Sequence, residues 1–377
     1  MAHFDVLIIG SGMAGASAAF ALAGEAKVLV AEREDQHGYH TTGRSAALYS
    51  AAYGDANIRA LTTASRAFFD APPAGFCDYP LLSPRGCLYL AAPGDEAALT
   101  ELADEVRGNG IETHLLDAAE ARRRVPILYP GKTTAALAEP SACDIDVNGL
   151  HVGFLKGAKA KGADIRLSAE IVELNRSSEG WSVRFRDGET VTAGVVVDAA
   201  GAWADQVAEL AGAHSVGLAP LRRTALLIEA PEGHDITAWP AVIDILESFY
   251  FKPDAGRILA SPADETSSAP CDAWPDDMDV AECVDRIQQV ADLPVRRVLR
   301  SWAGLRTFAP DRSPVIGYDG ACDGFFWLAG QGGYGVQTAP AAGRLAAALI
   351  LGRQVPEDLR AFGVDAAKLA PQRFHQA

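Results

Sequence analysis

The chain has 377 residues, 49% of them hydrophobic, which is enough to bury a large core in one domain or in two interleaved ones. Its 33 lysines and arginines stand against 49 aspartates and glutamates, and the net charge of −16 disfavours binding to nucleic acids or anionic membranes. Because a few arginines can dominate the field inside a cleft, the composition remains compatible with an anionic small-molecule substrate.

A compact βαβ unit is predicted at the start of the chain. The apolar run 4–9 predicts a strand, the segment Gly-Ser-Gly-Met-Ala-Gly at 10–15 predicts a tight turn, and the Ala-rich segment 16–23 predicts a helix. A second apolar strand, 27–31, leads directly into Glu32.

This unit carries the glycine pattern G-x-G-x-x-G at Gly10, Gly12 and Gly15, with Glu32 twenty-two positions after Gly10. Gly10 permits the tight turn, Gly12 lets backbone N–H groups approach a pyrophosphate, and Gly15 lets helix and strand pack closely. Glu32 would accept hydrogen bonds from ribose hydroxyls and would repel the 2′-phosphate of NADP. The unit therefore predicts a dinucleotide site, with an incidental glycine turn as the alternative.

Further strands of the same sheet are predicted at 191–199 and 324–329, each followed by a glycine and a helical stretch, 205–211 and 338–351. The loop 330–335 is glycine-rich, but no acid ends a second strand after it, so we expect a single dinucleotide site. Its backbone N–H groups at a helix N-terminus would suit an anionic ring; a plain strand-to-helix turn is the alternative.

Alternating polar and apolar residues at 181–186 and 248–252 predict antiparallel strands, and the Pro- and Asp-rich segment 262–279 predicts a surface loop. The expected fold class is α/β: a Rossmann-type dinucleotide-binding domain with an inserted α+β substrate domain on a mixed or antiparallel sheet. We expect residues 1–80, 145–215 and 310–377 to form the first domain, and 81–144 and 216–309 the second.

The six cysteines form neither a C-x-x-C pair nor a Cys/His cluster at zinc-ligand spacing, so we expect reduced thiols and no metal. The immediate start of the first strand leaves no room for a leader, and no apolar run approaches the roughly 20 residues that span a bilayer. We expect a cytoplasmic protein without a membrane span.

Several segments together carry a family resemblance. They are HTTGRSAA at 40–47, AAGAW at 199–203, WAGLR at 302–306 and the loop 330–335. With the N-terminal unit they resemble the FAD-dependent D-amino-acid oxidase group, which includes glycine oxidase, sarcosine oxidase and bacterial D-amino-acid dehydrogenases. The similarity is closest to the soluble bacterial D-arginine dehydrogenase type, through GYH at 38–40, AYG at 52–54, PPAGFC at 72–77 and ESFY at 247–250.

The resemblance implies FAD as the cofactor and assigns residues to it. The residues implied at the ADP part are Gly10, Gly12, Met13, Ala14, Gly15, Glu32 and Arg33, with Val172 meeting the adenine through its backbone. Those implied to flank the flavin are Thr42, Arg44, Ser45, Ala46, Ala47, Gly330, Gly332, Gly333, Tyr334, Gly335, Val336, Gln337 and Thr338. Further cofactor contacts are implied for Ala200, Gly201, Trp203 and Gly304.

The resemblance also implies an arginine pair that clamps the substrate carboxylate: Arg306 and one of the neighbours Arg222 and Arg223. Adjacent strand residues point to opposite faces, so only one of the two neighbours should reach the site, and we favour Arg223. Tyr53 and Tyr250 match pocket tyrosines that close over the substrate. The alternatives are structural ion pairs for the arginines and core packing for the tyrosines.

This chain departs from the arginine-preferring relative at two pocket positions, with Leu48 in place of a histidine and Cys87 in place of a glutamate. A cationic side chain would there be desolvated without a partner, so uncharged side chains are expected to be favoured. Ala241 and Ile243 are also expected to line the pocket. The segment Thr-Phe-Ala-Pro at 307–310 lacks the cysteine of covalent-flavin members, so non-covalent FAD is expected.

The function expected from the resemblance is oxidation of D-amino acids to 2-oxo acids and ammonia, by hydride transfer from Cα to flavin N5. The electrons would pass to oxygen or to a quinone-like carrier. A secondary-amine oxidase of the sarcosine or glycine oxidase kind and a 2-hydroxy-acid dehydrogenase are alternatives. A non-enzymatic alternative is an FAD-holding subunit of a larger oxidase.

Overall fold

Two large β-sheets and a small third sheet form the framework of the protein in a computed structural model, which describes residues 1–108 and 110–374. The strands are β1 (His3–Ile9), β2 (Val28–Ala31), β3 (Leu48–Tyr49), β4 (Leu82–Pro84), β5 (Cys87–Ala91), β6 (His114–Asp117), β7 (Ala135–Glu139), β8 (Cys143–Ile145), β9 (Asp164–Arg166), β10 (Ile171–Ser177), β11 (Gly180–Phe185), β12 (Thr190–Asp198), β13 (Ala219–Ile228), β14 (Ala241–Asp244), β15 (Tyr250–Asp254), β16 (Arg257–Ser261), β17 (Thr266–Ser267), β18 (Val298–Phe308), β19 (Val315–Tyr318) and β20 (Phe325–Ala329).

The helices lie between these strands and after the last of them. The α-helices are α1 (Met13–Leu22), α2 (Ala56–Asp70), α3 (Glu96–Arg107), α4 (Ala118–Arg124), α5 (Val147–Ala160), α6 (Ala204–Ala211), α7 (Asp277–Val290), α8 (Gly335–Ile350), α9 (Glu357–Ala361) and α10 (Ala366–Leu369). Short 3₁₀ helices occupy Thr41–Arg44, Gly201–Trp203 and Pro371–Phe374.

The first large sheet has a parallel core made of β20, β12, β1, β2 and β9, in that order. The first four residues of β12 pair antiparallel with β11, which forms a hairpin with β10. Strand β19 pairs antiparallel with β20. Helices α1, α5 and α8 pack together, and α1 and α8 share a buried apolar cluster with one face of the sheet. Because both faces of the sheet are buried at its centre, β2 and β20 are continuous runs of apolar residues, whereas the edge strand β9 is half-buried and carries charged residues.

The turn between β1 and α1 requires its glycines. Gly10 has φ +99°, and a Cβ there would lie 2.6 Å from the carbonyl oxygen of Ala199 on the neighbouring strand. A Cβ on Gly15 would lie 2.0 Å from the carbonyl oxygen of Gly10, so helix α1 starts directly above the end of β1.

The second large sheet is mixed, and it runs β17, β13, β16, β15, β14, β5, β7 and β6, with β18 along the other edge of β13. Strands β13 and β18 pair antiparallel over most of their length, and β14 pairs parallel with β5. The third sheet joins β3, β8 and β4. It combines short strands from both expected domains.

The predicted α/β fold class with its Rossmann unit and mixed second sheet is confirmed. The strands of the first sheet fall in the expected nucleotide-binding segments and those of the second in the expected substrate segments; the exact domain boundaries stay predictions. The segment 262–279 is only partly the expected surface loop, because it contains β17 and the first residues of α7, and the side chain of Asp264 is 5% exposed.

All six cysteines have free thiols. Within residues 1–108 and 110–374, no helix combines the length and the apolar character needed to cross a bilayer.

Candidate active site

A long cavity lies at the carboxyl ends of β1, β2 and β12, next to the N-terminus of α1. Its first part, about 220 Å³, is lined by Gly10, Gly12, Glu32, Arg33 and Gly201, among other residues. Backbone N–H groups of the first turn of α1 and the positive end of its dipole face this part of the molecule, which suits an anionic phosphate.

Glu32 is held in place by the glycine turn itself. Its Oε2 accepts hydrogen bonds from the backbone N–H and the hydroxyl of Ser11, both at 2.8 Å, and its Oε1 accepts from the N–H of Glu34 at 3.1 Å. A carboxylate has about four acceptor sites, so capacity remains for the hydroxyls of a ribose.

The floor of this first part includes Ala200 and Trp203. The guanidinium of Arg33 lies 4.2 Å from the ring centre of Trp203, a cation–π contact that fixes Arg33 beside the cavity.

The second part of the cavity, about 150 Å³, continues from Gly12 and Thr42 towards the second sheet. Residues expected to flank the flavin line it: Arg44, Ser45, Ala46, Gly332, Gly333, Gly335 and Val336. Met13 and Ala14, expected at the ADP part, and Gly304, expected as a further cofactor contact, line it as well. Thr42 accepts a hydrogen bond from the N–H of Met13 at 3.0 Å, which ties the 3₁₀ turn Thr41–Arg44 to the start of α1.

The polar groups of the two parts fit a dinucleotide with a polar ring system. Two buried polar atoms of lining residues have no hydrogen-bond partner within the described chain: Nδ1 of His40 in the first part and Oγ1 of Thr307 in the second. Buried polar atoms are normally satisfied, so both point to a bound polar group. These residues would hold FAD with the adenosine near Glu32 and the ring near Thr307.

Several residues expected at the cofactor do not line this cavity, although they lie close to those that do. They are Gly15, Val172, Gly330, Tyr334 and Thr338. Val172 follows the lining residue Ile171, and the hydroxyl of Thr338 donates to the carbonyl of Tyr334 at 2.9 Å inside helix α8. No cysteine lines either part within the described residues.

A third cavity opens beyond the second part and contains the expected arginine pair, Arg306 and Arg223. On the paired strands β13 and β18, Leu221 lies opposite Arg306 and Arg223 lies opposite Gly304. Opposed residues share a face and strand faces alternate, so both arginines point to the same side of the sheet. Two cations therefore face one cavity.

Arg223 is 7% exposed; its Nε donates to the carbonyl of Asp264 at 2.8 Å, and its Nη2 pairs with Glu265 at 3.2 Å. Burial and the nearby Arg306 charge both lower the pKa of Arg223, the effect expected of two cations that face an anion site. Arg222 points to the opposite face, where its Nη2 pairs with Asp279 at 2.7 Å, and it does not line the cavity.

Tyr53 and Tyr250 also line the third cavity. Nη1 of Arg306 donates to the hydroxyl oxygen of Tyr53 at 3.3 Å. Burial raises the pKa of Tyr53, so its phenol stays protonated at neutral pH and can donate a hydrogen bond. Arg306 has further N–H groups beyond the one that Tyr53 accepts, which leaves a fork for a carboxylate.

The side-chain end of the third cavity differs from the sequence-based expectation. Leu48, Ala241 and Ile243 line it, but Cys87 does not; Cys87 is 1% exposed and lies in the sheet between Ala241 and Glu139. The sequence analysis missed Lys252, which lines the cavity and is 8% exposed. The alternation at 248–252 was the available signal, because it places Lys252 on the same strand face as Tyr250.

Ala47 and Gln337, both expected at the flavin, line this third cavity as well. The amide of Gln337 is fixed from both sides: its Oε1 accepts from the N–H of Ser50 at 3.1 Å, and its Nε2 donates to Thr62 at 2.9 Å. Ser50 in turn donates to the buried carboxyl of Glu139 at 2.6 Å.

Glu139, a second residue missed from sequence, also accepts from the N–H of Ala51 at 2.7 Å. Burial raises the pKa of Glu139, and its hydrogen-bond donors partly oppose that rise. It does not line the third cavity, and it stabilises the loop that carries Ser50 and Tyr53.

The two parts of the long cavity and the third cavity follow one another, because each shares lining residues with the next. The first two parts match a dinucleotide, and the third can orient a small carboxylate against its ring with two arginines and two tyrosines.

The family model described as "DAO: FAD dependent oxidoreductase" matches residues 5–349. The uncharacterized oxidoreductase YurR of Bacillus subtilis is 26% identical over 251 residues, which cover 65% of this chain and 64% of YurR. Hydrogen cyanide synthase subunit HcnC of Pseudomonas aeruginosa is 24% identical over 274 residues, covering 71% of this chain and 61% of HcnC. The chain thus spans less than two thirds of the length of these relatives.

Among solved structures, glycine oxidase from Geobacillus kaustophilus superposes with a TM-score of 0.80 at 24% identity, over 97% of this chain and 99% of that one. At this identity the likeness establishes the fold.

Proposed function

Because the chain belongs to the DAO family of FAD dependent oxidoreductases, we propose that it oxidises the amine-bearing carbon of D-amino acids. The observation that carries the proposal is the pair Arg306 and Arg223 on one face of the second sheet, in a cavity that adjoins the expected flavin site. A paired guanidinium site of this kind binds a carboxylate and fixes the carbon next to it.

The reaction removes two electrons from the substrate. Bound FAD would supply the acceptor for the hydride that leaves Cα, while the lone pair of the neutral amine nitrogen forms the C=N bond and gives the protonated imino acid. Water then hydrolyses the imino acid to a 2-oxo acid and ammonia. Oxygen or a quinone-like carrier takes up the electrons in the second half of the cycle.

The side chains of the site orient and enclose the substrate. Arg306 and Arg223 hold the carboxylate, so the position of Cα relative to the flavin site is fixed. The protonated phenol of Tyr53 donates to the bound anion, and Tyr250 closes the cavity beside it. None of these residues has to act as a base if the amine binds in its neutral form.

The choice of D-amino acids rests on the segments 38–40, 52–54, 72–77 and 247–250, which resemble bacterial D-amino-acid dehydrogenases. Cationic side chains are disfavoured, because Leu48 offers a guanidinium no polar partner and the ammonium of Lys252 would repel it. The expected preference for uncharged side chains is not carried into the proposal, because Cys87 lies outside the cavity and Lys252 inside it.

The arginine pair would also bind the carboxylate of a secondary amine or of a 2-hydroxy acid, and the solved glycine oxidase shares the fold. These substrates are therefore the second candidates. An FAD-holding subunit is a further alternative, since HcnC is by name a subunit.

Anaerobic mixing of the FAD-loaded protein with single substrates tests the proposal. D-amino acids should bleach the flavin absorbance, whereas their L-enantiomers, sarcosine and 2-hydroxy acids should bleach it slowly or not at all. If only sarcosine or only a 2-hydroxy acid bleached the flavin, we would conclude that secondary amines or 2-hydroxy acids, respectively, are the substrates. If no substrate reduced the flavin, the result would favour the alternative that the protein is an FAD-holding subunit of a larger oxidase.

A further inference from the structure

A buried lysine stands at the far end of the third cavity. Lys252 lies on β15 two residues beyond Tyr250, and strand alternation places both side chains on one face. Both line the cavity, and Lys252 is 8% exposed. The strand therefore presents a phenol near the arginine pair and an ammonium further along.

The charge of Lys252 is only partly balanced by its neighbours. Its Nζ donates to Oδ1 of Asp144 at 2.6 Å and to the carbonyl of Ala47 at 3.4 Å. The other oxygen of Asp144 is taken by Nε of Arg85 at 2.7 Å. One carboxylate thus serves two cations, and one of the three N–H groups of the ammonium has no partner within the described residues.

The residues that line the third cavity also carry more positive than negative charges. Among the described residues, its charged lining consists of Arg223, Arg306, Lys252 and Glu247, so three cations face one carboxylate. Glu247 also lines the neighbouring cavity that contains Arg312, away from Lys252. A substrate with a single carboxylate would satisfy the arginine pair and leave Lys252 with only Asp144, a carboxylate that Arg85 shares, so these buried cations would stay incompletely neutralised, which is costly in a desolvated site.

We infer that Lys252 forms a subsite for a second carboxylate, and that the substrates of this site are four- or five-carbon dicarboxylic amino acids. The inference deepens the proposed function and rests on it. Tyr250 lines the cavity together with the arginine pair, and Lys252 follows it on the same strand face about 6.8 Å further along, so a short side chain would separate the two subsites. The arginine pair binds one carboxylate and Lys252 the other.

The subsite should bind a dicarboxylic amino acid much better than the corresponding amide. A side-chain carboxylate accepts a charge-assisted hydrogen bond from Lys252, whereas a neutral amide of the same shape adds no negative charge to the shared carboxylate of Asp144. A cationic side chain is repelled. Leu48, Ala241 and Ile243 contact the methylene groups between the two carboxylates.

The direct test compares D-glutamate with D-glutamine and D-aspartate with D-asparagine in anaerobic flavin reduction by the holoenzyme. Each acid should reduce the flavin with an efficiency at least about tenfold above that of its amide, the scale of one charge-assisted hydrogen bond. An amide that is used as well as its acid would overturn the inference.

Variants assign the preference to the lysine. Lys252→Met keeps the length of the side chain and leaves Asp144 paired with Arg85, so the ratio of acid to amide efficiency should fall to about one. Lys252→Arg should retain part of the preference, and Lys132→Met, at an exposed lysine, should match the wild type. An acid preference that survives in Lys252→Met would remove the lysine from substrate recognition.

A binding measurement separates this inference from the proposed function. Glutarate and its monoamide are titrated into the holoenzyme and followed by the flavin absorbance shift and by Tm, with no turnover required. Tighter binding of glutarate in the wild type, lost in Lys252→Met, supports the subsite even if no amino acid reduces the flavin. Equal binding of the two compounds overturns it, including in the case that Lys252→Met does not fold.

Discussion

At the scale of single residues, the site depends on which face of a strand each arginine occupies. Arg222 and Arg223 are neighbours, yet Arg223 faces the third cavity and Arg222 faces Asp279. Glu265 pairs with Arg223 and also with Arg312 at 2.7 Å, so it holds Arg223 without neutralising the pair. Within the described residues, the side chain of Arg306 donates a hydrogen bond only to the hydroxyl of Tyr53, so Arg306 has more donors free for an anion than Arg223 has.

Replacing Arg306 by Ala should lower the efficiency of flavin reduction by at least about a hundredfold, because truncating one partner of a desolvated charge pair costs about 2–5 kcal/mol. Arg306→Lys should recover little of this loss, since an ammonium lacks the planar fork. The measurement is kcat/KM with an artificial electron acceptor. Arg257→Ala, at an exposed arginine of the same sheet, is the matched control. Near-normal activity in Arg306→Ala would exclude this residue from the site.

At the scale of elements, the strand-turn-helix unit combines three features that act on one ligand. The turn brings Ser11 against Glu32, the tight packing at Gly15 starts helix α1 above β1, and the helix dipole points into the cavity. The carboxylate of Glu32 is oriented before any ribose binds, because the N–H and the hydroxyl of Ser11 hold it. This preorganisation reduces the entropic cost of binding.

Changing Glu32 to Ala should therefore weaken FAD retention by about 1.5–3 kcal/mol, the value of hydrogen bonds to a charged group. Equilibrium dialysis or the fluorescence of released FAD measures the change. Glu179→Ala, at an exposed glutamate in the turn between β10 and β11, should leave retention unchanged. Equal affinities in Glu32→Ala and the wild type would place the ribose elsewhere.

At the scale of the whole molecule, the expected FAD site gathers segments that are far apart in the chain. The start of α1, the turn Thr41–Arg44, the end of β18 and the N-terminus of α8 all line the second part of the cavity. A ligand there contacts both large sheets, so it should stabilise their arrangement as well as the local turn.

The purified protein should be yellow, and heat or acid should release intact FAD into the supernatant, because no cysteine of the described residues lines the cavity. Removing the FAD should lower Tm, and adding it back at about 100 times its Kd should restore about 2.7 kcal/mol. Flavin that stays with the precipitated protein would contradict non-covalent binding. A Tm that does not depend on FAD would contradict the coupling to both sheets.

The sequence by itself determined the features that depend on local geometry. The spacing of Gly10, Gly12 and Gly15 after an apolar strand specifies the turn, since only glycine fits where a Cβ would meet a backbone oxygen. Apolar runs specified the parallel strands β1, β2, β12 and β20, and alternation specified β11 and β15, whereas the short parallel strand β9 was not predicted. The FAD cofactor and the arginine pair were expected from the family resemblance, because the segments 40–47, 199–203, 302–306 and 330–335 match motifs that occur together in that family.

The tertiary structure alone decided which side chains meet. Cys87 and Lys252 lie far apart in sequence, and only the order of strands in the second sheet places one inside the sheet and the other on the cavity wall. The segment 262–279 was predicted to lie at the surface from its composition, but contact with Arg223 and Thr224 buries Asp264. Burial and long-range pairing depend on what packs against a residue, which local pattern does not encode.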